Sequence, residues 1–117
     1  MSRLRSLALV VLLLTTLSAC ATQPVPTDGA VVIDVRTAQE FAQGHLEGAV
    51  NLDLQSGAFE TEVAQLPTDG TYLVYCRSGN RSGQAVRIMA DLGFTTVTDL
   101  GAIQNAATAT GLPIVTG

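Results

Sequence analysis

The stretch from Thr71 to Leu92 constrains the chain more than any other. Residues 71–75 are β-branched, aromatic and apolar, a buried-strand composition. Residues 82–92 predict a helix with Ala85, Ile88, Met89 and Leu92 facing inward and Gly93 at its C-terminal cap. Between them lies Cys76-Arg77-Ser78-Gly79-Asn80-Arg81-Ser82-Gly83. A strand passing through a short Gly/Ser loop into a helix is half of a βαβ unit, and a sheet made of such units is parallel.

The rest of the chain agrees. Residues 31–35 predict a strand, 38–43 a helix ended by Gly44, and 49–52 a second strand. Residues 58–66 predict a helix with Phe59, Val63 and Leu66 on one stripe. Asp69-Gly70 is a turn, residues 95–98 a fourth strand, and the Ala-rich stretch from Gly101 one more short helix. The expected fold class is α/β, a small three-layer domain over residues 30–117, with a mainly parallel sheet flanked by helices. The chain has 117 residues, enough for one domain, and no internal repeat.

Ligands of such sheets bind beyond the carboxyl ends of the strands, where Cys76 falls. A free Cys is most often a small buried apolar residue. The Gly/Ser/Arg loop that follows favours a reactive thiol instead. Its small residues let successive N–H groups point inward, and the helix adds its N-terminal dipole. Arg77 and Arg81 add positive charge. The thiol should ionise below its usual ~8.5, with the sulfur at the loop centre, open to a docking thiol and facing those donors. Ser78, Gly79, Asn80 and Ser82 complete the candidate substrate-binding loop. Arg81 could equally brace the loop through backbone carbonyls.

Charge narrows the partners. The chain has no Lys, and its six basic residues are arginines. Without residues 1–19, four arginines face ten carboxylates, a net charge of −6. Nucleic acid needs a broad basic surface, so it is excluded as a partner. Positive charge clustered beside Cys76 suits a small anion. His45, after a Gly in a connecting turn, reads as structural. Asp34 and Arg36, ending the first strand, read as a bracing ion pair. One His and one available Cys leave no metal-ligand cluster, and neither metal nor cofactor is expected.

Residues 1–19 read as an export signal: Arg3 and Arg5, then an apolar run too short to span a bilayer comfortably, then small residues at a cleavage point. Leu17-Ser18-Ala19-Cys20 resembles the lipobox of bacterial lipoproteins. That resemblance implies cleavage before Cys20, lipidation of its thiol, and an extracytoplasmic domain, in the cell envelope or periplasm, anchored to the membrane at Cys20. Residues 20–29, polar and interrupted by Pro24 and Pro26, read as a flexible tether.

Two motifs in order resemble the rhodanese family. One is Asp34-Val35-Arg36 with Glu40-Phe41 and Gly44-His45-Leu46-Glu47-Gly48-Ala49-Val50-Asn51; the other is the Cys76 loop. The plan resembles the minimal, exported, single-domain rhodaneses of the phage-shock type, without the first strand-helix unit most rhodanese domains have. The resemblance implies a catalytic Cys76 that carries sulfur as a persulfide. The donor would be a small anion such as thiosulfate, the acceptor cyanide or a thiol, and the protein a monomer. The family often has a Gly-Gly pair and a Trp late in the domain, where this chain has Gly101-Ala102 and no Trp. A non-turnover sulfur relay or persulfide-binding module shares these features. A cysteine phosphatase or arsenate reductase would need five residues between Cys and Arg, and here four separate Cys76 from Arg81.

Overall fold

Central parallel strands must bury both faces, and two segments of this chain are apolar enough to do so. In the computed structural model, which describes residues 23–117, they are β1 (Ala30–Asp34) and β4 (Thr71–Cys76). They pair in parallel, Asp34 opposite Tyr75. The short β3 (Val50–Asn51) flanks β1, and β5 (Thr96–Ala102) flanks β4, giving the parallel order β3-β1-β4-β5. The export signal expected at residues 1–19, Cys20 and the first part of the expected tether lie outside the described residues.

Alternation along the strands sorts side chains into two cores. Ile33, Val35, Tyr72, Val74 and Cys76 face α2 (Phe59–Val63) and α3 (Asn80–Asp91), meeting Phe59, Val63, Ala85 and Met89. Val32, Leu73 and Tyr75 face the other way, meeting Leu46, Leu100 and Ala106 of α4 (Ile103–Thr110). The three layers expected are present.

α1 (Ala38–Gln43) starts at a capping box: Thr37 Oγ1 accepts from the Glu40 N–H, and Glu40 reaches back to the Thr37 N–H. Gly44 ends it as expected. β2 (His45–Leu46) follows and pairs antiparallel with β6 (Ile114–Val115), two residues each. Such short pieces carry no periodicity, and they were not foreseen.

Four expectations need correction. Leu92 is 39% exposed rather than inward. α3 ends at Asp91, and Gly93, at φ +94°, redirects the chain so that Phe94 takes the core place beside Met89. The Phe94 and Gly93 N–H groups donate to the Met89 and Ala90 carbonyls, a Schellman end. α3 also begins at Asn80, two residues early, because the loop turns into it at Gly79. β5 runs through Asp99 and Gly101, which look like turn residues, because a bulge opposite Val74 and Tyr75 absorbs one extra residue. The expected tether is fastened at Val25, whose N–H donates to the Ala109 carbonyl at 2.8 Å.

Candidate active site

Parallel register brings the carboxyl ends of β1 and β4 together, and the site forms there. Cys76 faces the same side of the sheet as Tyr72 and Val74. Beyond it, Gly79 sits at φ +97°, a left-handed conformation that costs Gly nothing, and turns the chain into α3. This aims the Gly79 N–H at Cys76 Sγ, 2.9 Å away. The thiol donates to Ser82 Oγ at 3.5 Å, and Ser82 in turn donates to the Gly79 carbonyl at 3.1 Å. Burial pushes the Cys76 thiol up. The Ser82 hydroxyl and the N–H groups of Ser82, Gly79 and Ser78 outweigh it and hold the thiol below its usual value.

The donors therefore converge on the sulfur, but the sulfur is not open. Cys76 is 0% exposed and belongs to the core cluster under α2 and α3. The expectation of an accessible sulfur fails in this conformation, because the strand's alternation points Cys76 inward. Chemistry at Sγ requires the loop to yield.

The two arginines part company. Arg77 is exposed and lines a cleft of about 370 Å³ with Arg36, Glu40, Ile103, Gln104 and Ile114. Arg81, expected at the anion, turns to α1 instead. Its Nη1 and Nη2 donate to the two Glu40 oxygens at 2.8 and 3.0 Å. That guanidinium holds the Glu40 carboxyl down to about 2. Asn80 is exposed, and its Oδ1 accepts from Gln84 Nε2 along the helix at 3.5 Å. Ser78 is exposed, and only its N–H acts toward the sulfur.

Asp34 and Arg36 form a buried pair at the carboxyl end of β1. Arg36 Nε donates to both Asp34 oxygens at 3.0 and 3.1 Å, and Nη2 to Oδ2 and to the Gly44 carbonyl at 2.6 Å each. Asn51 Nδ2 donates to the Asp34 and Arg36 carbonyls, locking the bend after β1. The Arg36 guanidinium lies 5.7 Å from the Tyr75 ring centre, and the Tyr75 hydroxyl accepts from the Leu46 N–H. His45 stacks on Phe41 at 3.7 Å, its Nδ1 2.8 Å from the Phe41 carbonyl. Among the described residues no three His, Cys, Asp or Glu side chains group as a metal would require.

The family model for the rhodanese-like domain matches residues 19–105. The chain belongs to the rhodanese family. The thiosulfate sulfurtransferase PspE of Escherichia coli is 35% identical over 75 residues, which are 64% of this chain and 72% of that protein. The thiosulfate sulfurtransferase GlpE of Pseudomonas putida is 44% identical over 70 residues, 60% of this chain and 62% of that one. A solved structure described as a rhodanese with anions from E. coli has a TM-score of 0.63 at 32% identity. It covers 75% of this chain and 99% of its own.

Within this rhodanese domain, sequence reasoning missed Glu40 as a member of the site. Thr37-Ala38-Gln39-Glu40 is a legible capping box, but the ion pair to Arg81 spans 41 positions and has no local signal. Gly101-Ala102 proves to be a wall of the loop: a Cβ on Gly79 would lie 3.6 Å from Gly101 Cα.

Proposed function

We propose that this protein is a thiosulfate sulfurtransferase whose Cys76 carries the sulfur as a persulfide. The observation that carries this reading is the Gly79 N–H, 2.9 Å from Sγ, within a set of amides that favours the thiolate despite burial. The names of its PspE and GlpE relatives support it.

Arg77, exposed beside Cys76, draws the thiosulfate dianion to the site. The 77–79 segment yields, and the Cys76 thiolate attacks the outer sulfur. The S–S bond of thiosulfate breaks, sulfite leaves with the bonding pair, and Cys76 holds a persulfide anion. Cyanide or a thiolate then attacks the outer sulfur, and Cys76 returns as thiolate. The Ser82 hydroxyl, which donates a hydrogen bond to the Gly79 carbonyl while the thiol is neutral, can turn to the sulfur once it ionises. The amides that face Sγ in the closed loop favour the anionic sulfur before the donor enters and again once the loop has closed over the persulfide. A phosphatase would aim its loop arginine at an oxyanion; here Arg81 is held by Glu40.

The soluble domain with thiosulfate and cyanide should release thiocyanate over many turnovers, and Cys76→Ser should reduce it to the uncatalysed background. Substantial thiocyanate from Cys76→Ser, or turnover of p-nitrophenyl phosphate but not thiosulfate, would overturn the reading.

The first twenty residues support a second part of the proposal: the domain is extracytoplasmic and anchored through lipid on Cys20. Cells expressing the full chain should incorporate labelled palmitate into it, and Cys20→Ser should lose the label and leave the membrane fraction. An unlabelled wild-type protein would reject the anchor.

A further inference from the structure

We propose that α4 and the chain fastened to it form the face that lies against the lipid surface, with α2 and α3 turned to the water; this rests on the Cys20 anchor proposed above. Attachment is the first ground. Val25 is tied to the last turn of α4 through its N–H and the Ala109 carbonyl, at 2.8 Å. Its side chain packs, like those of Ala107 and Leu112, against the core cluster on that side of the sheet. The Ala30 N–H then donates to the Thr27 carbonyl at 3.0 Å as the chain enters β1. The lipid is therefore joined to the folded domain at α4.

Length is the second ground. Cys20 and Val25 are five positions apart, a reach of at most about 18 Å. The sheet separates α4 from α2 and α3. A helix is about 10 Å across, so two helix layers with a sheet between them come to roughly 30 Å. A tether of that reach, starting at α4, does not carry the lipid round to the outer side of α2 and α3. The same attachment leaves the cysteine loop clear: Ala102, which precedes α4, pairs with Cys76 in the sheet, and the tether is fastened at the other end of the helix.

Charge is the third ground. α1, α2 and α3 each carry charged residues, whereas α4 carries none. The uncharged stretch extends beyond the helix: no Asp, Glu, Lys, Arg or His occurs from Leu100 to Gly117, or from Cys20 to Thr27. The outward side of α4 is Gln104, Asn105 and Thr108, continued by Gly111 and Pro113. The acids bordering it are Asp28, just before β1, and Glu47, whose N–H donates to the Pro113 carbonyl at 2.9 Å. On the opposite side α2 presents Glu60 and Glu62, and α3 ends at Asp91, all three exposed. Anionic headgroups repel carboxylates that come within a Debye length, ~8–10 Å. The α4 side approaches them while bringing the fewest. Its amides and hydroxyls keep hydrogen-bond partners among the headgroups, and no charge is desolvated.

The test uses the mature protein with lipid on Cys20, reconstituted in phosphatidylcholine vesicles. A Cys76→Ser background lets one introduced thiol take the fluorophore. Thr108→Cys labels α4 and Glu62→Cys labels α2, both at exposed positions. A nitroxide on the lipid headgroup, which quenches at short range, should remove most of the Thr108 emission and leave that of Glu62 nearly unchanged. Asn105→Glu, which puts a carboxylate on the α4 side, should reduce the loss at Thr108 when the vesicles contain phosphatidylglycerol, and high salt should restore it. Sedimentation with the vesicles separates the two layers. If the protein stays in solution, the anchor itself is refuted. If it sediments yet is quenched equally at both positions, or more at Glu62, the orientation alone is overturned. Shielding of Thr108 in native membranes but not in pure vesicles would mean that a protein covers α4, and would equally overturn the lipid face.

Discussion

Cys76 occupies the last position of β4, where two demands meet. Strand alternation sends its side chain into the core, and the turn after it sends backbone N–H groups back onto the same sulfur. Gly79 reconciles them by taking φ +97°. A Cβ there would meet Gly101 Cα at 3.6 Å, an ordinary contact, so the cost of Gly79→Ala is conformational rather than steric. We expect it to destabilise the fold by roughly 1–2 kcal/mol, the penalty for an L-residue in a left-handed conformation. Relaxing that strain would draw the N–H from Sγ, so the thiol should ionise at higher pH. Thermal unfolding measures the first effect, and the pH dependence of Cys76 alkylation the second. Unchanged alkylation with altered stability would show that this amide does not tune the sulfur. The loop cysteine and its neighbours were legible in the chain, since a strand, a Gly/Ser turn and a helix are contiguous. The burial of Sγ was not, because it depends on what α2 and α3 lay over that face of the sheet.

At the scale of elements, Glu40 joins α1 to α3. It closes the capping box of one helix and holds Arg81 in the first turn of the other. Both side chains are about one fifth exposed, so solvent screens the pair only in part. The guanidinium lowers the Glu40 carboxyl from 4.5 to about 2, whereas in the unfolded chain it titrates near its usual value. As pH falls, the unfolded state therefore binds the proton first. The stabilisation from this group is complete above about pH 4.5 and disappears as pH approaches 2. Urea unfolding of wild type and Glu40→Gln should differ by a constant amount from pH 7 to about 4.5, and the gap should close toward pH 2. A gap that persists to the lowest pH would mean that packing, not charge, is what Glu40 supplies. The helices themselves were readable to within a few residues at each end. Their cross-link was not, since nothing near Glu40 in the chain points to a residue 41 positions away.

At the scale of the whole molecule, contiguous residues were enough to indicate an α/β domain, four parallel strands in the right segments and a loop that favours an anionic sulfur, while the rhodanese family came from the resemblance of two motifs and is shown by the family model. The first three are written in periods of two or about 3.6 residues, or in turn chemistry, which neighbouring residues decide among themselves. Packing alone decided that the sulfur is closed at rest, that Arg77 rather than Arg81 borders the open cleft, that β2 finds β6, and that Val25 is fastened to α4. The difference is physical. A local pattern lowers the energy of its own segment whatever surrounds it, but a side chain's partner and its access to water depend on which distant surfaces the folded chain presses together.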